Sequence, residues 1–249
     1  MQENSTELIQ AQSSNTCPFG LCDGSGWMEI YRDGLPVMKQ CKCMAQQKSL
    51  HRLRKSGILP LVRACRFDTY NAPEQWQKEV KDMAIKYAKY PDEKWFFIGG
   101  QVGSGKTHLC TAIVASLIRR GYEAKYMLWR DEMRVLKDSI RENEYCDKME
   151  FLKQVPVLYI DDFFYSSDGR PTAGDINIAF ELINMRYINK LITIISSEYD
   201  ITQITDISES VGSRIYIMAK KGSCINITPD VSKNYRLKAG GNDDARQRQ

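Results

Sequence analysis

The sequence lacks any long apolar run. No segment approaches the roughly 20 consecutive apolar residues that a membrane-spanning helix needs, which excludes a protein with a transmembrane helix. The initial segment MQENSTELIQ is polar and lacks the basic-then-apolar pattern of a secretory signal peptide. We therefore expect a cytoplasmic protein with no membrane partner.

Internal repeats and a strong net charge are also lacking. The chain of 249 residues has a net charge of +4, and 43% of its residues are hydrophobic. That length suits one α/β domain with a smaller module attached. The mild positive charge permits a nucleic-acid partner without requiring one. In a reducing compartment, the eight cysteines argue against a disulfide framework.

Acidic residues are absent between Met44 and Phe67. The basic residues in that stretch are Lys48, Arg52, Arg54, Lys55, Arg63 and Arg66. We predict a basic linker helix at 44–64, with Gly57 and Pro60 as stop signals. The positive stripe would suit a nucleic-acid backbone, a solvated helix or an acidic protein surface, and charge alone does not choose among them.

Apolar segments alternate with helical patterns from Cys65 onward. Five apolar runs predict buried strands at 95–100, 124–129, 155–161, 191–197 and 224–228. Helices are predicted at 108–120, from about 130 to 144, and at 176–189. This alternation is typical of a parallel five-stranded sheet covered on both faces. We therefore predict an α/β domain at 65–238, and disordered tails at 1–16 and 239–249.

A glycine-rich loop follows the first of these strands. The run GQVGSGKT at 100–107 matches the phosphate-loop pattern G-x-x-x-x-G-K-[ST] at every fixed position. Its glycines let backbone N–H groups face phosphate oxygens, Lys106 neutralises the outer phosphates, and the Thr107 hydroxyl ligates Mg²⁺. The predicted ATP-binding residues are Gly100, Gly103, Ser104, Gly105, Lys106, Thr107 and His108.

An acidic pair ends the third strand, in VLYIDD at 157–162. Asp161 is predicted to hold the Mg²⁺, and Asp162 is predicted to polarise the attacking water. Polar residues also end the next strand, where Ser197 is a candidate to contact the γ-phosphate or the water. With Lys106, these residues predict a Mg²⁺-dependent P-loop ATPase. A fifth candidate, Arg214 in VGSRI, is either a surface arginine or a residue that stabilises the transition state across a subunit boundary.

Four cysteines cluster near the start of the chain: Cys17, Cys22, Cys41 and Cys43. Four thiolates can close a tetrahedral Zn²⁺ site, and a segment of this size needs such support to fold. We predict a structural zinc module at 17–43. Four unrelated thiols are the alternative, because the Cys-x₄-Cys and Cys-x-Cys spacings are looser than the usual zinc pattern.

Taken in order, these motifs resemble the bacterial and phage DnaC/DnaI-type helicase loaders. The resemblance rests on the Cys-Lys-Cys head, CRFDTYNA at 65–72, GQVGSGKTHL, VLYIDDFF and VGSRI. It implies an AAA+ core with the fourth strand inserted between the first and the third. It also implies ATP hydrolysis, ATP-dependent homo-oligomers, single-stranded DNA binding, and delivery of a DnaB-type replicative helicase, which the N-terminal module would grip. Arg214 would be the arginine finger.

Two departures from that pattern stand out. Glu198 occupies a position where many relatives have asparagine, and this makes Ser197 the candidate for the first sensor. Only 21 residues follow Thr228, which leaves no room for a helical lid.

Two other functions also fit the sequence. One is an IstB-like transposition ATPase that remodels DNA for a transposase. The other is an ATP-gated single-stranded DNA-binding module with little turnover, since Asp162 stands where glutamate is commoner.

Overall fold

A computed structural model describes residues 16–91, 95–141, 143–166, 169–220 and 223–237. The predicted tails therefore lie outside the described residues, except for Thr16. The strands are β1 (Trp27–Arg32), β2 (Leu35–Gln40), β3 (Phe96–Gly100), β4 (Ala124–Leu128), β5 (Val157–Asp161), β6 (Ile192–Ser196) and β7 (Cys224–Ile227). The helices are α1 (Lys42–Lys55), α2 (Leu59–Ala64), α3 (Gln75–Lys89), α4 (Lys106–Arg119), α5 (Trp129–Arg141), α6 (Tyr145–Gln154), α7 (Ala173–Ile188), α8 (Ile201–Ile207) and α9 (Glu209–Ala219). Within these ranges no helix is both long and apolar enough to cross a bilayer.

Strands β3 to β7 form one parallel sheet in the order β4-β5-β6-β3-β7. This confirms the predicted α/β fold, with the fourth predicted strand, β6, between β3 and β5. The carboxyl ends of parallel strands lie at one edge of a sheet, so the loops after β3, β5 and β6 meet there. The order of strands thereby brings the phosphate loop and the acidic pair together.

Helices cover both faces of the sheet, and each face has its own core. On one face, α3 and α4 pack with the N-terminal helices around residues such as Leu53, Leu109 and Ile113. On the other, α5, α6, α7 and α9 pack around residues such as Trp129 and Leu182. Burial on both faces explains why the strands are continuously apolar instead of alternating.

A buried arginine ties three elements of the second face together. Arg186 of α7 has 0% exposure. Its guanidinium donates to the carbonyl oxygens of Leu152, Val155 and Ile192 at 2.8, 2.9 and 2.7 Å, and to Thr193 Oγ1 at 2.9 Å. Burial lowers the pKa of Arg186 to about 9. This side chain fixes the start of β6 against the end of α6, close to the start of β5.

The segment predicted as one basic linker helix differs in the structure. It forms two helices, α1 and α2, because Gly57 turns the chain with φ of 72°. The stripe is partly neutralised, since Arg52 pairs with Glu123 at 2.8 Å and Arg66 with Asp68 at 2.6 Å. Both helices pack on α4, so the segment belongs to the α/β core and is not a free linker.

Candidate functional site

The phosphate loop joins β3 to α4 at the carboxyl edge of the sheet. At Gly100, with φ of 97°, a Cβ would lie 2.1 Å from the carbonyl oxygen of Ile227, so this position requires glycine. The Lys106 ammonium donates to the carbonyl oxygens of Gly100 and Gln101 at 2.8 and 2.7 Å. Burial lowers the pKa of Lys106, while the negative charge of Glu198 opposes that change. The lysine thus lies inside the loop, where phosphate oxygens would replace its carbonyl partners.

Asp161 is surrounded by hydroxyl donors. It is 3% exposed and accepts hydrogen bonds from Thr107 at 3.1 Å, Tyr159 at 2.7 Å and Tyr126 at 2.8 Å, and from Ser196. A threonine hydroxyl beside a carboxylate supplies the oxygen donors that Mg²⁺ prefers. Thr107 and Asp161 therefore fit the predicted Mg²⁺ site.

Asp162 follows in the left-handed region, with φ of 53°. Its backbone N–H donates to Ser196 Oγ at 3.3 Å. Burial raises the pKa of Asp162 to about 6, and the charges of Asp161 and Glu198 add to this rise. The charge of the exposed Glu198 acts on both Lys106 and Asp162. Asp161 at the end of β5, Asp162 after it and Glu198 after β6 thus supply three carboxylates at the carboxyl edge of the sheet.

Two predicted residues have side chains that are engaged elsewhere. The buried Ser197 hydroxyl donates to the carbonyl oxygen of Phe163 at 2.7 Å and accepts from the Tyr199 N–H at 3.1 Å. Ser196, one residue earlier, is the serine that contacts Asp161. His108 Nε2 donates to the carbonyl oxygen of Arg66 at 2.8 Å, which anchors the 65–72 segment to the first turn of α4.

Ser104 and Arg214 complete the predicted set. Ser104 is buried and donates to the carbonyl oxygen of Gln101 at 2.7 Å, within the loop. Arg214 lies on α9, where it donates to Asn184 Oδ1 at 3.0 Å and packs over the ring of Phe180 at 5.2 Å. Its described contacts are with α7 and α9, so the structure does not bring it to the phosphate loop of its own chain.

Tyr126 and Tyr159 were not among the predicted site residues. Tyr159 precedes Asp161 by two positions and shares its face of β5, and Tyr126 pairs with Tyr159 across the β4–β5 register. Their rings lie edge to face at 5.1 Å. The spacing of two residues between Tyr159 and Asp161 is a local signal that the two side chains share one face of a strand. The contact of Tyr126 with Asp161 has no such signal, because it depends on the pairing of β4 with β5.

The four predicted zinc ligands come together. Their sulfur atoms all lie within 4.8 Å of one another, with Cys17 to Cys41 and Cys22 to Cys43 both at 3.7 Å. A tetrahedral site with Zn–S bonds of ~2.3 Å would place its sulfurs roughly 3.8 Å apart. The cluster therefore fits a structural zinc ion.

The cysteine module rests against the far end of α4. A Cβ on Gly121 would lie 2.7 Å from Lys42 Cβ and 3.1 Å from the ring of Phe19. Nearby, the buried amide of Gln46 donates to the carbonyl oxygen of Ile118 at 3.3 Å. These contacts join the module to the helix that begins at the phosphate loop.

Residues 31–207, more than half of the chain, match the family described as IstB-like ATP binding protein. The chain belongs to this family. Among its relatives is the phage-like element PBSX protein XkdC of Bacillus subtilis (strain 168), which is 30% identical over 87% of this chain and 85% of XkdC. The replicative helicase loader DnaC of Escherichia coli (strain K12) is 24% identical over 75% of this chain and 74% of DnaC.

The fold of this IstB-like protein also matches solved structures. The crystal structure of the DnaC helicase loader superposes with a TM-score of 0.57 and 21% identity, and the match covers 68% of this chain and 98% of that one. The resemblance to DnaC/DnaI-type AAA+ proteins is thereby confirmed at the level of family and fold.

Proposed function

We propose that this protein is a Mg²⁺-dependent ATPase that loads a DnaB-type replicative helicase onto single-stranded DNA in the cytoplasm. The observation that carries the proposal is the contact between Thr107 and Asp161, which joins the phosphate loop to the acidic end of β5. The relation to DnaC, a replicative helicase loader, is the reason for proposing that the ATPase loads a helicase.

The ATPase chemistry follows from the positions of the side chains. Lys106 exchanges its two carbonyl partners for the outer phosphates of ATP, and the positive end of α4 faces the same phosphates. Thr107 and Asp161 hold Mg²⁺, which neutralises phosphate charge. Asp162 orients the attacking water and accepts its proton. Glu198 faces the same space, so a second carboxylate is available beside Asp162.

A groove along α5 supports the nucleic-acid part of the proposal. Arg130, Arg134 and Lys137 share one helical face and line a groove of about 300 Å³ with Tyr165. Lys137 pairs with Asp175, whereas Arg130 and Arg134 are exposed and have no side-chain partner among the described residues. Two free guanidinium groups beside an aromatic ring suit the phosphates and bases of a single strand.

The buried Trp129, which also lines this groove, contacts residues next to the acidic pair. Trp129 packs edge to face on Phe163 at 4.8 Å and on Phe164 at 5.6 Å. These phenylalanines directly follow Asp162. A DNA strand bound in the groove would therefore contact the residues that position Asp162, and we expect ATP turnover to rise when DNA binds.

The groove can be tested by the salt dependence of single-stranded DNA binding. Arg130→Ala and Arg134→Ala should each reduce the slope of log affinity against log salt by about 0.7, the value for one lost phosphate contact to a single strand. Arg54→Ala, on the basic stripe of α1, is the comparison. If only Arg54→Ala lowers the slope, the α5 groove is not the DNA site.

The cysteine module provides a surface for the helicase. Its β1–β2 hairpin exposes several large apolar side chains: Trp27, Tyr31, Leu35, Val37 and Met38. Tyr31 and Leu35 are 72% and 68% exposed. Exposed apolar clusters of this kind mark protein interaction sites. Leu35→Ser and Tyr31→Ser should weaken helicase binding in a pull-down without changing ATP affinity.

Arg214 completes the proposal as a residue that acts between subunits. Its guanidinium is held near the surface by Asn184 and Phe180, away from its own phosphate loop. In an ATP-dependent oligomer it would reach the terminal phosphate bound by a neighbouring copy. Arg214→Ala subunits and Lys106→Ala subunits should each be inactive alone, and a mixture of the two should regain part of the ATP turnover. In the mixture, some sites take Lys106 from an Arg214→Ala subunit and Arg214 from a neighbouring Lys106→Ala subunit.

Helicase loading itself tests the whole proposal. Wild-type protein, a DnaB-type helicase and ATP are mixed with a circular single strand that carries an annealed oligonucleotide, and its displacement is measured. Lys106→Ala should abolish displacement, and Lys86→Ala, an exposed lysine on α3, should not. Loading by Lys106→Ala at the wild-type rate would refute ATP-driven loading.

A transposition ATPase is the second candidate, favoured by the family match to IstB-like proteins. It shares the nucleotide site and the DNA groove but would bind a transposase in place of a helicase. Pull-downs with each partner separate the two functions. A third candidate, an ATP-gated DNA-binding module, predicts ATP-dependent DNA binding with turnover that DNA does not raise.

A further inference from the structure

Helices α1 and α2 share one outer surface of the molecule. Both pack on α4, with Leu53 of α1 and Val62 of α2 buried in the core beneath them. Because their buried sides face the same helix, their exposed sides lie together on the surface above it. We call this surface the basic face and define it by six exposed residues: Gln47, Lys48, His51, Arg54 and Lys55 of α1, and Arg63 of α2.

The positive charge of the basic face is not balanced by its own segment. Residues 34–67 contain no aspartate or glutamate, although an even distribution of the 31 acidic residues along the chain would place about four there. Acidic side chains pair with Arg52 and Arg66 of this segment, and both of these lie outside the basic face. The cations of the basic face form no ion pair within the described ranges: Lys48, Arg54, Lys55 and Arg63.

The side chains of the basic face suit a duplex backbone better than a protein or a single strand. Protein interfaces are built around aromatic or aliphatic anchors, and single strands are held largely by aromatic side chains that stack on bases. No large apolar or aromatic side chain of the described helix α1 is exposed, and on α2 only Leu61 is, at 37%. The bases of a duplex are already stacked and paired, so cations alone match what it offers, its phosphates.

The basic face and the α5 groove lie toward opposite ends of the edge strand β4. At one end, Ser49 of α1 accepts a hydrogen bond from the Ala124 N–H at 2.9 Å. At the other end, α5 begins at Trp129, directly after the strand. The five residues of β4 span about 17 Å, which equals the rise of about five base pairs. One DNA molecule is therefore long enough to contact both surfaces.

We propose that the basic face binds the phosphate backbone of duplex DNA, so that the protein engages a junction between duplex and single-stranded DNA. The duplex lies on α1 and α2, and the adjoining single strand lies in the α5 groove. The single-stranded half of this junction rests on the proposed function, whereas duplex binding by the basic face does not. An acidic protein is the competing occupant of the basic face.

Binding of the full-length protein to a blunt duplex, measured by fluorescence anisotropy at several salt concentrations, tests the basic face. Arg54→Ala and Lys55→Ala should each reduce the slope of log affinity against log salt by about 0.9, the value for one lost phosphate contact to B-DNA. Both side chains are exposed, so the circular dichroism spectrum should not change. Lys86→Ala, which removes an exposed lysine of α3, should leave the slope unchanged. A duplex slope that neither α1 substitution lowers would overturn the proposal.

The same variants with a single strand separate the basic face from the α5 groove. Arg54→Ala and Lys55→Ala should leave the single-strand slope unchanged, whereas Arg130→Ala should lower it. Equal reductions for duplex and single strand in the α1 variants would overturn the assignment to duplex DNA. Failure of Arg130→Ala to lower the single-strand slope would refute the groove and the junction, while a lowered duplex slope in the α1 variants would still support the basic face.

Competition with poly-L-glutamate separates DNA from an acidic protein as the occupant of the basic face. At equal concentrations of negative charge, unlabelled duplex should displace the labelled duplex, and poly-L-glutamate should displace much less of it. Displacement by poly-L-glutamate as effective as that by unlabelled duplex would overturn the assignment to DNA.

Discussion

Replacing Arg186 with methionine should unfold the protein at a markedly lower temperature. The substitution removes four hydrogen bonds and leaves two buried carbonyl oxygens, one partly buried carbonyl oxygen and a buried threonine hydroxyl without their donor. Each such loss costs roughly 1.5–3 kcal/mol when the donor is charged. Removing the buried cation returns several kcal/mol of desolvation. We expect a net loss of about 3–5 kcal/mol in the free energy of unfolding.

Thermal and urea unfolding, followed by circular dichroism, would measure this loss. For a domain of this size, each kcal/mol lowers the melting temperature by roughly 2–4 °C, so a fall on the order of 10 °C is expected. Arg186→Lys should recover less than half, because a single ammonium cannot reach acceptors in several directions. Arg54→Met, an exposed arginine on α1, is the matched control. A change below about 1 kcal/mol for Arg186→Met would mean that water or other groups satisfy these carbonyls, and the reasoning would fail.

Three other substitutions probe the site. Tyr126→Phe should lower the free energy of unfolding by roughly 1–3 kcal/mol. In a protein that already carries Asp161→Asn, the same substitution should cost much less, because its partner has been changed. Equal costs in the two backgrounds would show that the contact between Tyr126 and Asp161 contributes nothing to stability. Gly100→Ala should weaken ATP binding and lower the melting temperature, because the added Cβ would collide with the carbonyl oxygen of Ile227. The control is Gly169→Ala, at a position with a similar φ and open space around it, which should leave ATP affinity unchanged. Cys43→Ser should reduce bound zinc, measured by metal analysis, from one equivalent to near zero, and unchanged zinc would contradict the four-cysteine site.

The sheet was predictable because its signal is local. Continuous apolar runs located all five strands of the sheet to within two residues at each end. The third began late, at Val157, because Pro156 has no N–H to donate and Val155 caps α6. The charged helix predicted to end near residue 144 ends at Arg141, and α6 follows it. Helices α3, α8 and α9 and the β1–β2 hairpin were not predicted, since their packing depends on distant partners.

The residues of the candidate nucleotide site also fall into two groups, those that local motifs predict and those that only distant contacts bring in. The phosphate loop and the acidic pair follow from motifs a few residues long, and the structure places Lys106, Thr107, Asp161 and Asp162 together. Tyr126 reaches the site through the register of β4 and β5. Tyr235, far along the chain, reaches it because its N–H donates to the carbonyl oxygen of Gly103 in the phosphate loop. Ser197 illustrates the limit of local reasoning, because β6 ends at Ser196 and the Ser197 hydroxyl bonds to Phe163 and Tyr199 instead of to Asp161.

Helix α4 gives the molecule a mechanical connection between its two ends. It runs from Lys106 in the phosphate loop to Arg119, just before the glycine on which Phe19 rests, a span of about 21 Å at 1.5 Å per residue. A rotation of about 5° at the first turn of such a rod would displace its far end by roughly 2 Å. The cysteine module therefore rests on the same helix that begins at the phosphate loop, so that a nucleotide bound at the loop would be connected mechanically to the surface proposed for a partner.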